Sequence, residues 1–244
     1  MKRKVKNLTN SAFMLAFGLL LSIACYGQEG GKAKNVSGGI GYSVLGTSFL
    51  NLNSLNSMLQ SNGYPVLSEN FFTAGGGGHA IVNRIIIGGE GYSLMGEDVL
   101  NGSLRQSVYA STGFFDIGYI ALSYKGLNVF PMLGIGGGEM IFKIREDISS
   151  ISFGDILNDP RRAVELKSEC FLLDFGGGIN YILGFGKNES ARAGFLLGIR
   201  GGYTLTPFRG KWLIDDIEVS GAPKAGINGP YIRIMIGGGA ISSY

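Results

Sequence analysis

Cysteine is nearly missing from this chain of 244 residues, which holds two, Cys25 and Cys170. That excludes a framework of paired cysteines and a zinc-type cysteine cluster. Histidine occurs once, at His79, which narrows acid–base and metal chemistry so far that no catalytic, cofactor or metal residue is assigned. No Gly-Lys-Ser or Gly-Lys-Thr is present, so there is no phosphate-binding P-loop. Residues Gly75-Gly76-Gly77-Gly78-His79-Ala80 satisfy the letters of a dinucleotide fingerprint, but that motif needs a helix after it, and here another strand pattern follows. The longest apolar run, residues 12–24, falls short of the about 20 residues a membrane-spanning helix needs.

The same run, preceded by Lys2, Arg3, Lys4 and Lys6 and followed by small residues, reads as a secretory signal over residues 1–27. Two processing routes fit. Cleavage near Gly27 leaves Cys170 as the sole cysteine; an imperfect lipobox, Ser22-Ile23-Ala24-Cys25, would make Cys25 a lipid anchor. Removing the signal takes away four of 21 basic residues, so 17 remain against 18 acidic ones. The basic character of the full chain thus belongs mostly to the signal, and nucleic-acid binding, which wants a basic patch on the folded domain, has no support. A short tail, 28–36, then leads into one β domain over 37–244.

Glycine is what the chain has in excess, 42 residues in all. Much of it falls in clusters: Ser37-Gly-Gly-Ile-Gly-Tyr42, Ala74-Gly-Gly-Gly-Gly78, Ile87-Gly-Gly-Glu-Gly91, Ile135-Gly-Gly-Gly138, Phe175-Gly-Gly-Gly178, Ile199-Arg-Gly-Gly-Tyr203 and Ile236-Gly-Gly-Gly239. Each cluster sits inside a segment that otherwise reads as strand. Glycine weakens a strand and marks a bulge, a bend or a close approach of other groups. Period-two patterning places eight strands near 37–46, 70–82, 84–95, 106–123, 128–144, 166–183, 191–206 and 230–244. Each is long enough to cross a hydrocarbon layer when tilted. The connections between them alternate long and short, beginning with a long one in which Leu52, Leu55, Met58 and Leu59 recur at helical spacing. That alternation is the order of an up-and-down barrel with both termini at one end and long loops at the other.

Strand faces predict an inverted barrel, apolar outside and polar inside. The sixth strand sets Leu173, Phe175, Ile179 and Tyr181 against Asp174, Gly176, Gly178 and Asn180; the seventh sets Phe195, Leu197 and Ile199 against Gly198, Arg200 and Gly202; the eighth sets Ile232, Ile234 and Ile236 against Tyr231, Arg233 and Gly237. On the first strand the same logic puts Ile40, Tyr42 and Val44 outside. Glu90, Asp116, Asp174, Arg200 and Arg233 then share the lumen, where paired charges are tolerated and unpaired ones are costly, so an internal charge network is expected. Glu139 falls with Leu133 and Ile135 and demands either a bulge or a position above the lipid. Tyr124, Phe130, Tyr181, Phe185 and the terminal Tyr244 read as an interfacial girdle. His79 reads as a packing or interfacial residue, and Cys170 as a small filler on the Asp174 face.

Over 37–244, strand count, loop order and the terminal aromatic make the chain resemble the small eight-stranded outer-membrane barrels of the OmpA and OmpX class. The resemblance implies an all-β, transmembrane up-and-down barrel in the outer membrane of a Gram-negative bacterium. It implies as partners the outer-membrane lipid and lipopolysaccharide, and the barrel assembly machinery, engaged through the C-terminal strand ending at Tyr244. It leaves the role open among a structural or surface-interaction protein with a plugged lumen, a narrow pore or small-ligand barrel, a soluble or lipid-anchored lipocalin-like binder, and a lipid-modifying enzyme. Outer-membrane lipid A deacylases are similar in strand number and use a His, a Ser two residues on and a Glu on the next strand; here Ile81 stands where the Ser would be, though Glu90 is in place. The expected function is therefore non-enzymatic.

Overall fold

The computed structural model describes residues 35–159, 163–185 and 191–243. The expected signal, Cys25, nearly all of the tail, Arg161-Arg162, part of the turn after Gly184 and the terminal Tyr244 lie outside the described residues.

Eight long strands form the domain: β1 Val36–Phe49, β2 Asn70–Val82, β3 Ile85–Gly96, β4 Leu104–Tyr119, β5 Leu127–Glu146, β6 Ala163–Gly184, β7 Ala191–Arg209 and β8 Gly229–Ser243. Each pairs antiparallel with its sequence neighbours, and β8 pairs with β1 over Ser48↔Tyr231 to Val36↔Ser243, which closes the sheet. Closure removes both sheet edges and satisfies the strand backbone internally, the condition a β-structure must meet in lipid. Strands begin and end within a few residues of the pattern-based positions.

At the end that carries the chain's short turns, β2 and β3 are joined by Asn83-Arg84 alone, both with positive φ (48° and 72°), the mirror-image turn whose twist matches a two-residue hairpin. Lys125 and Gly126 (49° and 92°) repeat that geometry in the β4–β5 connection, beyond a short strand at Leu122–Tyr124. The opposite end carries the loops 50–69, 97–103, 147–159 and 210–228. The second of these is less a loop than an extension of the wall, since Val99–Asn101 pairs with the start of β4, so the long–short alternation is clearest in the other three. The first holds helix α1, Asn53–Ser61, with Leu55 and Leu59 buried; the third holds a short helix α2, Phe153–Asn158, closed by a capping box between Ser152 and Asp155. The last contains a small hairpin that extends β6 through Leu213↔Lys167. Among the described residues the wall has one register shift, opposite Phe171 and Leu173; the extra residue falls near Pro207 in β7, where a residue without an N–H costs the ladder nothing.

The inner wall is filled, as eight strands require. Near the short turns it is apolar, with Val36, Ile81, Ile86, Ile120, Phe130, Ile182 and Leu196 buried. Toward the loops it is apolar again, with Phe71, Leu94, Val108, Met140, Phe142 and Leu172, and the loop residues Leu50, Leu52, Leu67, Trp212 and Ile227 pack over them. The outer wall exposes Ile87, Phe115, Ile117, Leu133, Ile135, Ile179, Leu197, Ile199, Ile232, Ile234 and Ile236. It is this outer surface, not the middle of the lumen, that carries the chain's aliphatic excess.

Two face assignments need correction, and one open alternative is resolved. Ile40, Tyr42 and Val44 point inward, and Gly39, Gly41 and Ser43 outward; bulk predicted the wrong face because on β1 the outer positions are the small ones. Phe130 is buried inside, its ring against Gly178, and is no part of a girdle, whereas Tyr124, Tyr181 and Phe185 are exposed. Of the alternatives open for Glu139, the bulge is absent: it faces outward with Leu133 and Ile135, and β5 keeps continuous register past it on both sides, with Ser111 and Glu169 as partners.

Glycines on the two faces play different parts. A Cβ at inward Gly88 would lie 2.1 Å from the Gly78 carbonyl oxygen and 2.4 Å from His79 Cδ2, whereas one at outward Gly41 meets nothing within 4 Å. Gly88→Ala is therefore expected to lose about 1–3 kcal/mol or more of stability, and Gly41→Ala to fold as the parent does. The loss of the heat-dependent mobility shift on a gel checks the pair.

Candidate functional site

Between the two apolar layers the lumen carries a belt of polar side chains, all buried. Arg200 on β7 is its hub. Its Nη1 donates to Glu90 Oε2 at 2.5 Å and its Nη2 to Asp174 Oδ2 at 3.1 Å, with Asp116 Oδ1 at 4.0 Å. Asp174 also accepts from Tyr231 at 2.7 Å and from Thr204 at 3.0 Å. Glu90 Oε2 accepts a second bond, from the Tyr42 hydroxyl at 2.9 Å. His79 Nε2 stands 3.2 Å from Asp116 Oδ2, and its ring lies 5.4 Å from that of Tyr42. So Glu90, Asp116, Asp174 and Arg200 meet in one cluster.

Arg233 is placed differently. Its guanidinium sits between two tyrosine rings, 3.7 Å from the centroids of Tyr92 and Tyr231, and makes no ion pair within 4 Å among the described residues. Stacking on two ring faces supplies electrostatic compensation without a carboxylate, and Tyr231 links this stack back to Asp174. Cys170 lies on the Asp174 face, with its thiol donating to the Gly138 carbonyl at 3.4 Å.

Glycine explains how side chains from non-adjacent strands touch. Gly88 on β3 pairs with His79 on one side and Asp116 on the other. Gly77 on β2 pairs with Tyr42 and Glu90, and Gly134 on β5 with Asp116 and Asp174. In each case the strand between two polar residues presents no side chain, and the pair meets over it. A Cβ at Gly134 would lie 2.8 Å from Asp116 Oδ1 and 3.1 Å from Asp174 Cβ; one at Gly202 would lie 2.4 Å from the Tyr231 hydroxyl.

Sequence reasoning missed Tyr42, His79 and Tyr92 as members of this belt, and put Tyr231 on the lumen face without a part in the network. One signal was available: each shares a ladder position with a lumen-facing glycine, but that shows only once the register between strands is known. At the loop-rich rim, charges pair in solvent: Arg105 with Asp147 at 2.6 Å and Asp98 at 3.2 Å, and Glu165 with Lys167 at 3.3 Å and Lys143 at 3.4 Å. The hydrogen bond from Lys167 holds the Glu165 carboxyl below the usual carboxylate range.

A cavity of about 250 Å³ opens at the same end, between α1 and the last loop, lined by Leu55, Leu59, Tyr64, Phe142, Leu166 and Trp212. It is closed off from the polar belt by the apolar layer of Met140, Leu172 and Ile227.

Breaking the hub gives a direct test. Arg200→Ala leaves Glu90 and Asp174 buried without their cation and is expected to cost about 3–5 kcal/mol. Arg200→Lys, which cannot fork between two carboxylates, recovers part of that loss. Urea denaturation in detergent reads both, and Arg105→Ala at the rim serves as the exposed control that leaves the midpoint unchanged.

No protein-family model matches the chain, and no curated protein matches it. Among solved structures it is similar to the attachment invasion locus protein Ail of Yersinia pestis, at 11% identity and a TM-score of 0.41, covering 86% of this chain and 99% of that one. It is also similar to a major outer membrane protein of Thermus thermophilus, at 8% identity, a TM-score of 0.39 and 86% and 99% coverage. A third likeness is to Neisserial surface protein A, at 12% identity, a TM-score of 0.32 and 88% and 100% coverage. Overlap at that level carries no statement about function. Strand pairing alone identifies the chain as a closed, eight-stranded, antiparallel up-and-down β-barrel with a small helix in its first long loop.

Proposed function

We propose that this chain is a non-enzymatic outer-membrane barrel with a structural or surface-interaction role, its lumen plugged by its own side chains. The observation that carries this reading is the inversion of polarity: an aliphatic outer wall around a buried belt containing Glu90, Asp116, Asp174 and Arg200. Water-soluble monomers rarely expose apolar surface on that scale, whereas a tilted strand facing hydrocarbon requires it. A lipocalin-like soluble binder would need the reverse, with an apolar lumen and Asp174 and Arg200 outside.

Arg200, Met132, Leu172, Ile182 and Leu196 are among the fully buried side chains that fill the lumen, which argues for a plugged barrel over a narrow pore. The loops, together with α1 and α2, then supply the surface for interaction, with Phe153 and Leu157 of α2 exposed there. On this reading the aliphatic wall contacts outer-membrane lipid, the rim charges face lipopolysaccharide, and β8 is the strand offered to the assembly machinery.

The chain is expected in the outer-membrane fraction, with folded and boiled samples migrating differently on a gel. Purified in detergent and added to planar bilayers, it should give no steady conductance, and Arg233→Ala should not open one. A water-soluble monomer that folds without detergent overturns the membrane reading; stable single-channel steps in the parent overturn the plugged lumen.

A further inference from the structure

Charge in the polar belt does not balance by ion pairing alone. Glu90, Asp116 and Asp174 face two guanidiniums, and that of Arg233 is committed to the tyrosine rings. Arg200 is bonded to Glu90 and Asp174, which leaves Asp116 with His79 at 3.2 Å and, among the described residues, no guanidinium nearer than 4.0 Å. Asp116 is fully buried, and an uncompensated carboxylate in such a place is costly. Two carboxylate oxygens, Glu90 Oε1 and Asp116 Oδ1, are buried with no hydrogen-bond partner among the described residues.

We propose that His79, Glu90 and Asp116 form a binding site for a divalent transition-metal ion of the zinc type inside the barrel lumen. One ligand atom from each of the three residues can be chosen so that all lie within 4.8 Å of one another, and all three residues are buried. One imidazole nitrogen with two carboxylates is a mixed nitrogen–oxygen set that suits zinc and its first-row neighbours over calcium or magnesium, which take oxygen alone. The three ligands come from β2, β3 and β4, three adjacent hydrogen-bonded strands of a closed wall. The gap that admits it is built in: Gly88 lies between His79 and Asp116, and Gly77 lies opposite Glu90. Tyr42 and Arg200, bonded to Glu90 Oε2, hold that carboxylate in place and leave Oε1 for the ion, the part second partners play around metal ligands.

A proton on His79 is the competing account. It would compensate Asp116 through Oδ2, but it leaves Glu90 Oε1 and Asp116 Oδ1 without hydrogen-bond partners among the described residues, whereas an ion takes one oxygen from each carboxylate. The inference goes beyond the proposed function and stands whether the barrel is plugged or a narrow pore, because its readout is metal content and not location or activity.

The site is closed to solvent, so the full chain is refolded in detergent from metal-free denaturant with Zn²⁺ or Co²⁺ present, then desalted against chelator. The parent is expected to retain about one ion per chain and, with Co²⁺, to show visible absorption of a nitrogen–oxygen site. His79→Gln and Asp116→Asn, checked as folded by gel mobility, should retain at least about tenfold less. Where either variant fails to fold, the Co²⁺ spectrum of the folded parent decides alone. Metal content in the parent no higher than in the variants, no Co²⁺ band, or a melting midpoint that follows pH but ignores metal each overturns the proposal, the last assigning the place to an imidazolium.

Discussion

In a barrel of eight strands, long polar side chains can meet inside only if the strand between them has nothing there. Tyr42 reaches Glu90 over Gly77, His79 reaches Asp116 over Gly88, and Asp116 approaches Asp174 over Gly134. Those glycines weaken their strands locally, and the network they admit offsets that cost by tying β1, β2, β3, β4, β6, β7 and β8 together through one guanidinium and one pair of tyrosines. Arrangement matters more than the count of ion pairs. A buried pair is worth little against a well-packed apolar substitute, but losing one partner leaves a charge stranded, so the belt specifies one register for the whole wall.

The two ends of the lumen follow from that belt. Apolar layers above and below seal it, and water that would screen the charges is kept out by Phe130, Ile182 and Leu196 on one side and Met140, Phe142 and Leu172 on the other. Over the loop-rich mouth, α1 packs Leu55 and Leu59 toward the last loop, which brings Trp212 to meet them. The loop residues Leu50, Leu52, Leu67, Trp212 and Ile227 pack over the mouth, and the cavity beside α1 opens to solvent.

Pattern reading reached the barrel because two signals repeat along the chain without reference to any partner. Alternation between apolar and small residues is a property of each strand, and the long–short order of connections is read from the spacing between them. It failed on β1, where Ile40, Tyr42 and Val44 are bulky yet face inward while Gly39 and Gly41 face out, because a period-two pattern gives two faces but not which one is the lumen. Phe130 misled for the same reason: an aromatic near a strand end looks interfacial until Gly178 is found beneath its ring.

Strand number, the length of each strand, the order of connections and the presence of acids and arginines on one face were determined by local sequence, since each depends on residues within a few positions of one another. What only the tertiary structure decided is the set of contacts inside. Glu90 and Arg200 are separated by 110 positions, and whether they touch depends on the register of every ladder between them and on closure of β8 against β1. The two ladders joining β2, β3 and β4 turned a lone histidine on an apparently apolar strand into the neighbour of two buried carboxylates. No stretch of sequence contains that neighbourhood, because it exists only where strands β2, β3 and β4 lie side by side with a glycine in the gap.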